Sequence, residues 1–351
     1  CRTCAQCSAF SDDTSARPGC DHMTGTSDNK ALVIGASGFL GSHVTRQLVA
    51  DGVATRILVR KSSDTRATDD LDIERHYGSA FDPDVLRDAL QGISTVYYCL
   101  LDPRSWLRDT TPLWQTNVHN LQGVLDVASR FPLKAFVYTS TLVTIGLNPD
   151  APANENDAFN WADQAPEYVL TRLEGERCAL AHAAQSGLPL VACNVANTFG
   201  PGDYAPTPQG QMLWDASTGK LPFYFDGGLV SVGIEDAARA LILAAQHGTP
   251  GERYIISERY ISMRELFALA ARAGGRKPRH FRLPRPLVLG MAWSLEAITW
   301  LLRLDNRMAP SSIRLLTLIT ALDNSKARRE LRWQPQPIEQ SIEQAVRFFD
   351  R

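Results

Sequence analysis

The chain has 351 residues, 44% hydrophobic and 21% charged, with 36 Lys and Arg against 38 Asp and Glu. That profile fits a folded protein of one large domain or two modest ones, and it excludes wholesale disorder and fibrous folds. A net charge of −2 with no basic block excludes a dedicated nucleic-acid binder, and no apolar run reaches the ~18 residues of a membrane span.

Residues 1–29 are polar, rich in Ser, Thr and Asp, and carry no apolar periodicity. Cys1, Cys4 and Cys7 share a C-x2-C-x2-C spacing, with Cys20 beyond. Without structural context that spacing is weak evidence, so no metal is expected and the segment is predicted to be a disordered or non-native extension. It lacks the apolar core of a signal peptide, and Met23 is a candidate start. Cys99, Cys178 and Cys193 are scattered at positions predicted to be buried. They form no disulfide framework and suit a reducing, cytoplasmic compartment.

From residue 30, strands and helices alternate. Strands are predicted at Ala31–Ile34, Arg56–Val59, Ile73–Tyr77, Val96–Leu100, Ala135–Tyr138 and Leu190–Asn194. Helices are predicted at Phe39–Ala50, Pro83–Leu90, Pro112–Arg130 and Glu167–Gln185. This alternation predicts an α/β fold with a doubly wound parallel sheet over residues 30–200. The Pro- and Gly-rich stretch 201–230 shows no clear period. A helix Ile234–Gln246 and a strand Arg253–Ser257 follow, and segments near 228–258 are expected to return to the first domain. Helices are predicted again at Met263–Ala273, Leu283–Leu304 and Ile338–Phe349. Residues 201–351 read mainly as a smaller substrate-binding lobe. Trp293 and Trp300 lie seven apart in the Leu283–Leu304 stretch, which reads as a core or lid helix, with a hydrophobic substrate wall or a peripheral membrane contact as the alternatives.

Gly35-Ala36-Ser37-Gly38-Phe39-Leu40-Gly41 joins the first strand to the first helix. Glycines there let the backbone turn tightly and approach a pyrophosphate, which the free N–H groups of the helix N-terminus attract. A site for NAD usually carries a carboxylate at the end of the second strand, for the ribose 2′-hydroxyl. Here that strand ends in Arg60, Lys61, Ser62 and Ser63, with Asp64 the first acid. Two cations at that point favour the 2′-phosphate of NADP, with NAD the alternative.

With these motifs, Tyr138-Thr139-Ser140-Thr141, the helix opening at Asn117-Val118 and the loop Gly200-Pro201-Gly202-Asp203, the chain resembles an extended short-chain dehydrogenase/reductase. That superfamily holds NAD-dependent epimerases and dehydratases, dihydroflavonol reductases and 3β-hydroxysteroid dehydrogenases. Thr144-Ile145-Gly146-Leu147, Pro206-Thr207-Pro208 and Gly251–Ile255 are most similar to a hopanoid-associated sugar epimerase subgroup.

The resemblance implies a Rossmann domain with a C-terminal substrate lobe. It implies a Tyr-x-x-x-Lys pair, matched here by Tyr168 and Arg172. Tyrosine would move the proton on the substrate oxygen, and the cation would contact the cofactor and hold the tyrosine pKa down. Arginine in place of lysine keeps the charge but changes shape and hydration. Thr141 would polarise the substrate oxygen, with Thr139 and Ser140 as fallbacks. Leu100 and Asn194 would lie along the cofactor with Gly35, Ser37, Gly38, Phe39, Leu40 and Gly41, and Asn197 would face the substrate. Asn194-Val195 stands where the family often has Arg-Pro, and Gly78-Ser79-Ala80 where it often has Gly-Asp-Leu. The loss of that arginine favours a less polar substrate, whereas the second departure removes an aspartate that the resemblance would place at the adenine. The expected function is an NADP(H)-dependent oxidoreductase interconverting a secondary alcohol and a ketone on a hydrophobic or mid-sized substrate. The alternatives are a sugar-nucleotide epimerase or dehydratase and a catalytically impaired dinucleotide binder. The resemblance also implies a homodimer.

Overall fold

The structure, a computed structural model, describes residues 29–301, 316–318 and 321–350, apart from the side chains at 285, 296–298, 300 and 301. The N-terminal cysteine cluster and the Trp300 side chain therefore lie outside the described residues.

The first half is built from β1 (Lys30–Ile34), α1 (Phe39–Ala50), β2 (Ala54–Val59), β3 (Glu74–Tyr77), α2 (Pro83–Ala89), β4 (Thr95–Tyr98), α3 (Thr111–Trp114), α4 (Asn120–Ala128), β5 (Ala135–Thr141), α5 (Glu167–Ser186), β6 (Leu190–Val195) and β7 (Asn197–Phe199). The second half adds α6 (Pro208–Thr218), β8 (Phe223–Tyr224), β9 (Gly228–Gly233), α7 (Ile234–His247), β10 (Arg253–Ile256), β11 (Arg259–Ser262), α8 (Met263–Ala273), β12 (Phe281–Arg282), α9 (Arg285–Leu301), α10 (Ser325–Glu330) and α11 (Ile338–Phe349).

Seven strands form one sheet in the order β10-β6-β5-β4-β1-β2-β3, every pair parallel. Its inner strands are largely apolar on both faces because both are covered, whereas the edge strand β3 is polar. Val33 points into a core shared with α1, α7 and the tail residues Leu331 and Trp333. Its neighbours Leu32 and Ile34 point the other way, against α2, α4 and α5. Each core is thus one parity of the strand sequence. Local signals fix the helix ends: Asp82 caps α2 by accepting from Asp84 N at 3.0 Å, with Pro83 in the first turn. Gly187, left-handed at φ 76°, ends α5.

A three-stranded sheet, β11-β9-β7, carries the smaller lobe, whose core gathers α6, α8 and α11. β10 pairs with β6 in the large sheet and α7 packs on that sheet, whereas β9 pairs with β7 and β11. Two expectations change. The stretch 201–230 contains α6, whose start was legible as an N-cap threonine followed by proline: Thr207 Oγ1 accepts from Gly210 N at 3.0 Å. The single helix over 112–130 is interrupted by a π-helical turn, Gln115–His119. The extra residue of that turn brings the Asn117 carbonyl so close to α5 that a Cβ on Gly175 would sit 2.4 Å from it.

Candidate active site

The glycine turn sits at the C-terminal end of the central strand, between β2 and β4. Gly35 has φ +90°, and a Cβ on it would lie 2.8 Å from the Cys99 carbonyl carbon and 2.9 Å from Leu100 N. Gly35 is therefore pressed onto the end of β4, which brings Leu100 beside the turn. Gly38 N donates to Gly35 O at 3.0 Å, and a Cβ on Gly41 would sit 2.2 Å from that same oxygen. Only glycine fits the crossing of turn and helix. Ser37 and Gly38 are exposed at the mouth, and Phe39 and Leu40 are half-buried behind them.

At the end of β2, next to β1, Arg60 and Lys61 are exposed and neither forms an ion pair with a described residue. Arg60 N donates to Ser63 Oγ at 3.2 Å, closing a tight turn. Asp64, the nearest acid, is held by Arg66, whose Nε donates to its two oxygens at 3.0 and 2.8 Å. These hydrogen bonds hold the Asp64 carboxyl below its ordinary value.

Tyr168 and Arg172 lie one turn apart on α5, which puts both on the side facing β5. Arg172 is almost completely buried, and its Nη2 donates to Thr139 O at 2.7 Å. Its guanidinium carbon lies 5.9 Å from the centre of the Tyr138 ring, a cation–π contact in a dry environment. Its Nε is buried and has no hydrogen-bond partner. Tyr168 is half-buried, and burial pushes its hydroxyl above the ordinary tyrosine value, while the Arg172 charge acts in the opposite direction.

Thr141 ends β5 and is half-exposed. Its carbonyl accepts from Thr144 Oγ1 at 2.9 Å and from Asn194 Nδ2 at 3.3 Å. Asn194 is fully buried on β6, and its Nδ2 also reaches Thr144 Oγ1 at 2.9 Å and Glu176 Oε2 at 2.6 Å. The Asn194 side chain thus braces the strand ends from inside the core and is not exposed toward a cofactor. Asn197 is likewise engaged inside the smaller lobe: its Nδ2 donates to Val230 O at 2.9 Å, and its Oδ1 accepts from Gln209 at 3.0 Å. The structure therefore brings together the glycine turn, Leu100, Tyr168, Arg172 and the end of β5. It gives Asn194 and Asn197 bracing positions instead.

Sequence reasoning passed over Glu176 and left Asn117 as a helix residue. Glu176 lies one turn beyond Arg172 on α5 and is buried. Besides Asn194, it accepts from Ser140 Oγ, from Thr144 Oγ1 at 2.9 Å and from Arg253 Nη1 at 3.1 Å. Asn117 Oδ1 accepts from Asp102 N at 2.9 Å, and its Nδ2 donates to Thr171 Oγ1 at 3.2 Å. Thr171 in turn donates to Tyr168 O at 2.8 Å. The available signals were the i+4 and i+8 spacing of Glu176 from Arg172 and Tyr168, and a polar residue at an otherwise apolar helix position.

The sequence profile of the NAD dependent epimerase/dehydratase family matches residues 31–257. The chain belongs to that family. It is 28% identical over 320 residues to sterol demethylase protein B of Methylococcus capsulatus, covering 91% of this chain and 97% of that one. It is 25% identical over 339 residues to a dTDP-4-dehydro-6-deoxy-D-allose reductase of Streptomyces bikiniensis, covering 91% and 95%. The crystal structure of gox2253 superposes with a TM-score of 0.81 at 29% identity, covering 92% of this chain and 98% of that one. Several solved structures that share this fold hold NAD.

Proposed function

We propose that this family member is an NADP(H)-dependent oxidoreductase that interconverts a secondary alcohol and a ketone on a hydrophobic substrate of sterol-like class. One observation carries the reaction: Arg172 is buried on the face of α5 that it shares with Tyr168, with its guanidinium fixed to the end of β5. A permanent cation in a dry site is what a proton-transferring tyrosine needs beside it.

The chain's residues fit the cofactor. The backbone at Gly35 and Gly41 leaves no space for a side chain, the exposed helix N-terminus suits a pyrophosphate, and the buried Arg172 Nε lacks a partner. Gly35, Ser37, Gly38, Phe39, Leu40, Gly41 and Leu100 would hold the dinucleotide, with Arg60 and Lys61 on the 2′-phosphate. When bound, NADPH supplies a hydride to the carbonyl carbon. In that direction Tyr168 gives its hydroxyl proton to the carbonyl oxygen, which becomes the alcohol. Arg172 stabilises the tyrosinate left behind, and Thr141 donates a hydrogen bond to the same oxygen.

The likeness to sterol demethylase protein B supports a hydrophobic substrate. The likeness to a dTDP-sugar reductase keeps a sugar-nucleotide substrate as the second reading; the engagement of Asn197 within the lobe counts against it. The free thiols of Cys99, Cys178 and Cys193 suit a reducing, cytoplasmic compartment. The reading includes a homodimer through α4 and α5, which pack side by side on one face of the sheet.

Titration of the purified protein with NADPH and NADH, followed by nicotinamide fluorescence, tests the cofactor. NADPH is expected to bind at least about tenfold more tightly, and replacing both Arg60 and Lys61 by Ala is expected to erase that preference, since each charge-assisted phosphate contact contributes about 1.5–3 kcal/mol. A preference for NADH, or NAD retained through purification, would move the assignment to the epimerase reading. Binding of neither cofactor would leave the chain as a non-catalytic relative.

A further inference from the structure

One surface of the smaller lobe has no part in the chemistry above. Residues 272–295 contain six Arg and Lys and no Asp or Glu, in a chain whose net charge is −2, and of the six Arg282 is ion-paired with Asp226. Arg276, Lys277, Arg279 and His280 line a cavity of about 400 Å3 together with Leu221 and Pro222, and no carboxylate is among its lining residues. The next residue, Phe281, is 73% exposed, and its N–H donates to Pro222 O at 2.9 Å, so its strand borders the cavity.

The chain then enters α9. Val288 and Ala292 turn inward and pack with Phe225, Leu283 and Leu289. Leu287, Met291 and Leu295, spaced one turn apart, and the neighbouring Trp293 turn outward, and Trp293 is 55% exposed. Of the seven exposed large hydrophobic residues among those described, five lie between 281 and 295. The expected core or lid helix is thus apolar on its open side as well as its packed one. An open apolar face of this kind normally has an occupant.

We infer that the cationic loop 276–282 and the outward face of α9 together dock on an anionic phospholipid bilayer. The charge pattern selects this occupant. A second copy of the chain meeting the same face about a two-fold axis would set one cationic loop against the other, which is repulsive. A neutral apolar partner would leave the cationic cavity unused. An anionic bilayer satisfies both parts: phosphate headgroups take the cations, and Trp293, Met291, Leu287 and Phe281 enter the interfacial layer, where an indole is at home. The inference does not depend on the reaction or on the cofactor preference.

Co-sedimentation of the full chain with phosphatidylcholine vesicles, with and without phosphatidylserine, tests it. The chain is expected to sediment with the serine lipid and to be released by raised salt. Reversing the charge at three exposed loop positions, Arg276→Glu, Lys277→Glu and Arg279→Glu together, should weaken that binding on the order of a hundredfold. Met291→Ser with Trp293→Ser should weaken it as well, while NADPH affinity stays unchanged and so reports an intact fold. Failure to bind phosphatidylserine vesicles would overturn the inference. So would binding indifferent to the charge reversal, or self-association without lipid that the Met291→Ser, Trp293→Ser pair abolishes.

Discussion

At the scale of single residues, Arg172 sets the pH behaviour of Tyr168. Burial raises the tyrosine and the guanidinium opposes it. The reducing direction needs the protonated hydroxyl and the oxidising direction needs the tyrosinate, so alcohol oxidation should speed up as pH rises toward a value above the ordinary tyrosine range. Arg172→Met removes the opposing charge and should move that rise to still higher pH. Arg172→Lys keeps the charge but gives up the Nη2 bond to Thr139 O, so its rate should fall between those of the native chain and the Met variant. Tyr168→Phe should lower kcat by about 10²–10⁴ while cofactor affinity holds. Steady-state rates in both directions against pH check all three variants. Tyr168, Arg172 and Thr141 were picked out by the family resemblance, and the structure places Tyr168 and Arg172 one turn apart on α5 and Thr141 at the end of β5. Asn194 and Asn197 were legible as positions but not as roles. A side chain's partners depend on what packs over it, and Glu176 and Val230 are 18 residues before Asn194 and 33 after Asn197.

At the scale of elements, Glu176 ties together β5, β6, β10 and α5. Its carboxylate receives Ser140, Thr144, Asn194 and Arg253, which are contributed by three separate stretches of chain. Removing one partner of a buried charge pair leaves the other desolvated, at a cost of about 3–5 kcal/mol. Glu176→Ala is therefore expected to lose that much stability in urea unfolding, whereas Glu176→Gln retains an acceptor for the hydroxyls and should lose less. A result within experimental error of the native chain would show that the network contributes no net stability. The helices with a full apolar period, such as α8 and α11, were legible to the residue, and α8 carries the capping serine Ser262, which accepts from Glu265 N at 3.2 Å. The π-helical turn was not, because Gln115–His119 has the composition of an ordinary helix. The turn is decided by Gly175, which permits the close approach. The short strands β8 and β12, two residues each, carry too little pattern to register.

At the scale of the whole molecule, His43 links the two lobes. It lies on α1 directly behind the glycine turn, and its Nε2 is 2.9 Å from Pro201 O in the loop that opens the smaller lobe. Burial lowers its pKa below the ordinary histidine value. The unfolded chain therefore takes up the proton first as pH falls. The contribution of neutral His43 is complete above about pH 6.5 and is lost as pH falls through the depressed folded value, at up to about 1.4 kcal/mol per pH unit. Thermal melts between pH 7 and pH 5 should show His43→Gln losing less stability over this range than the native chain. Equal slopes would assign the acid sensitivity to other groups.

The sequence by itself determined the class of fold, the order of most strands and helices along the chain, and the glycine turn. Each of these depends on local physics: apolar period, cap chemistry, and the few conformations that glycine and proline permit. Only the tertiary structure decided that β9 pairs outside the large sheet, that Asp64 is taken by Arg66 while Arg60 and Lys61 form no ion pair among the described residues, and that Glu176 and Asn194 brace the ends of β5 and β6. It also decided that α9 leaves its apolar side chains facing outward. Those facts concern which distant residues meet, and pairing at long range is set by the packing of the whole chain.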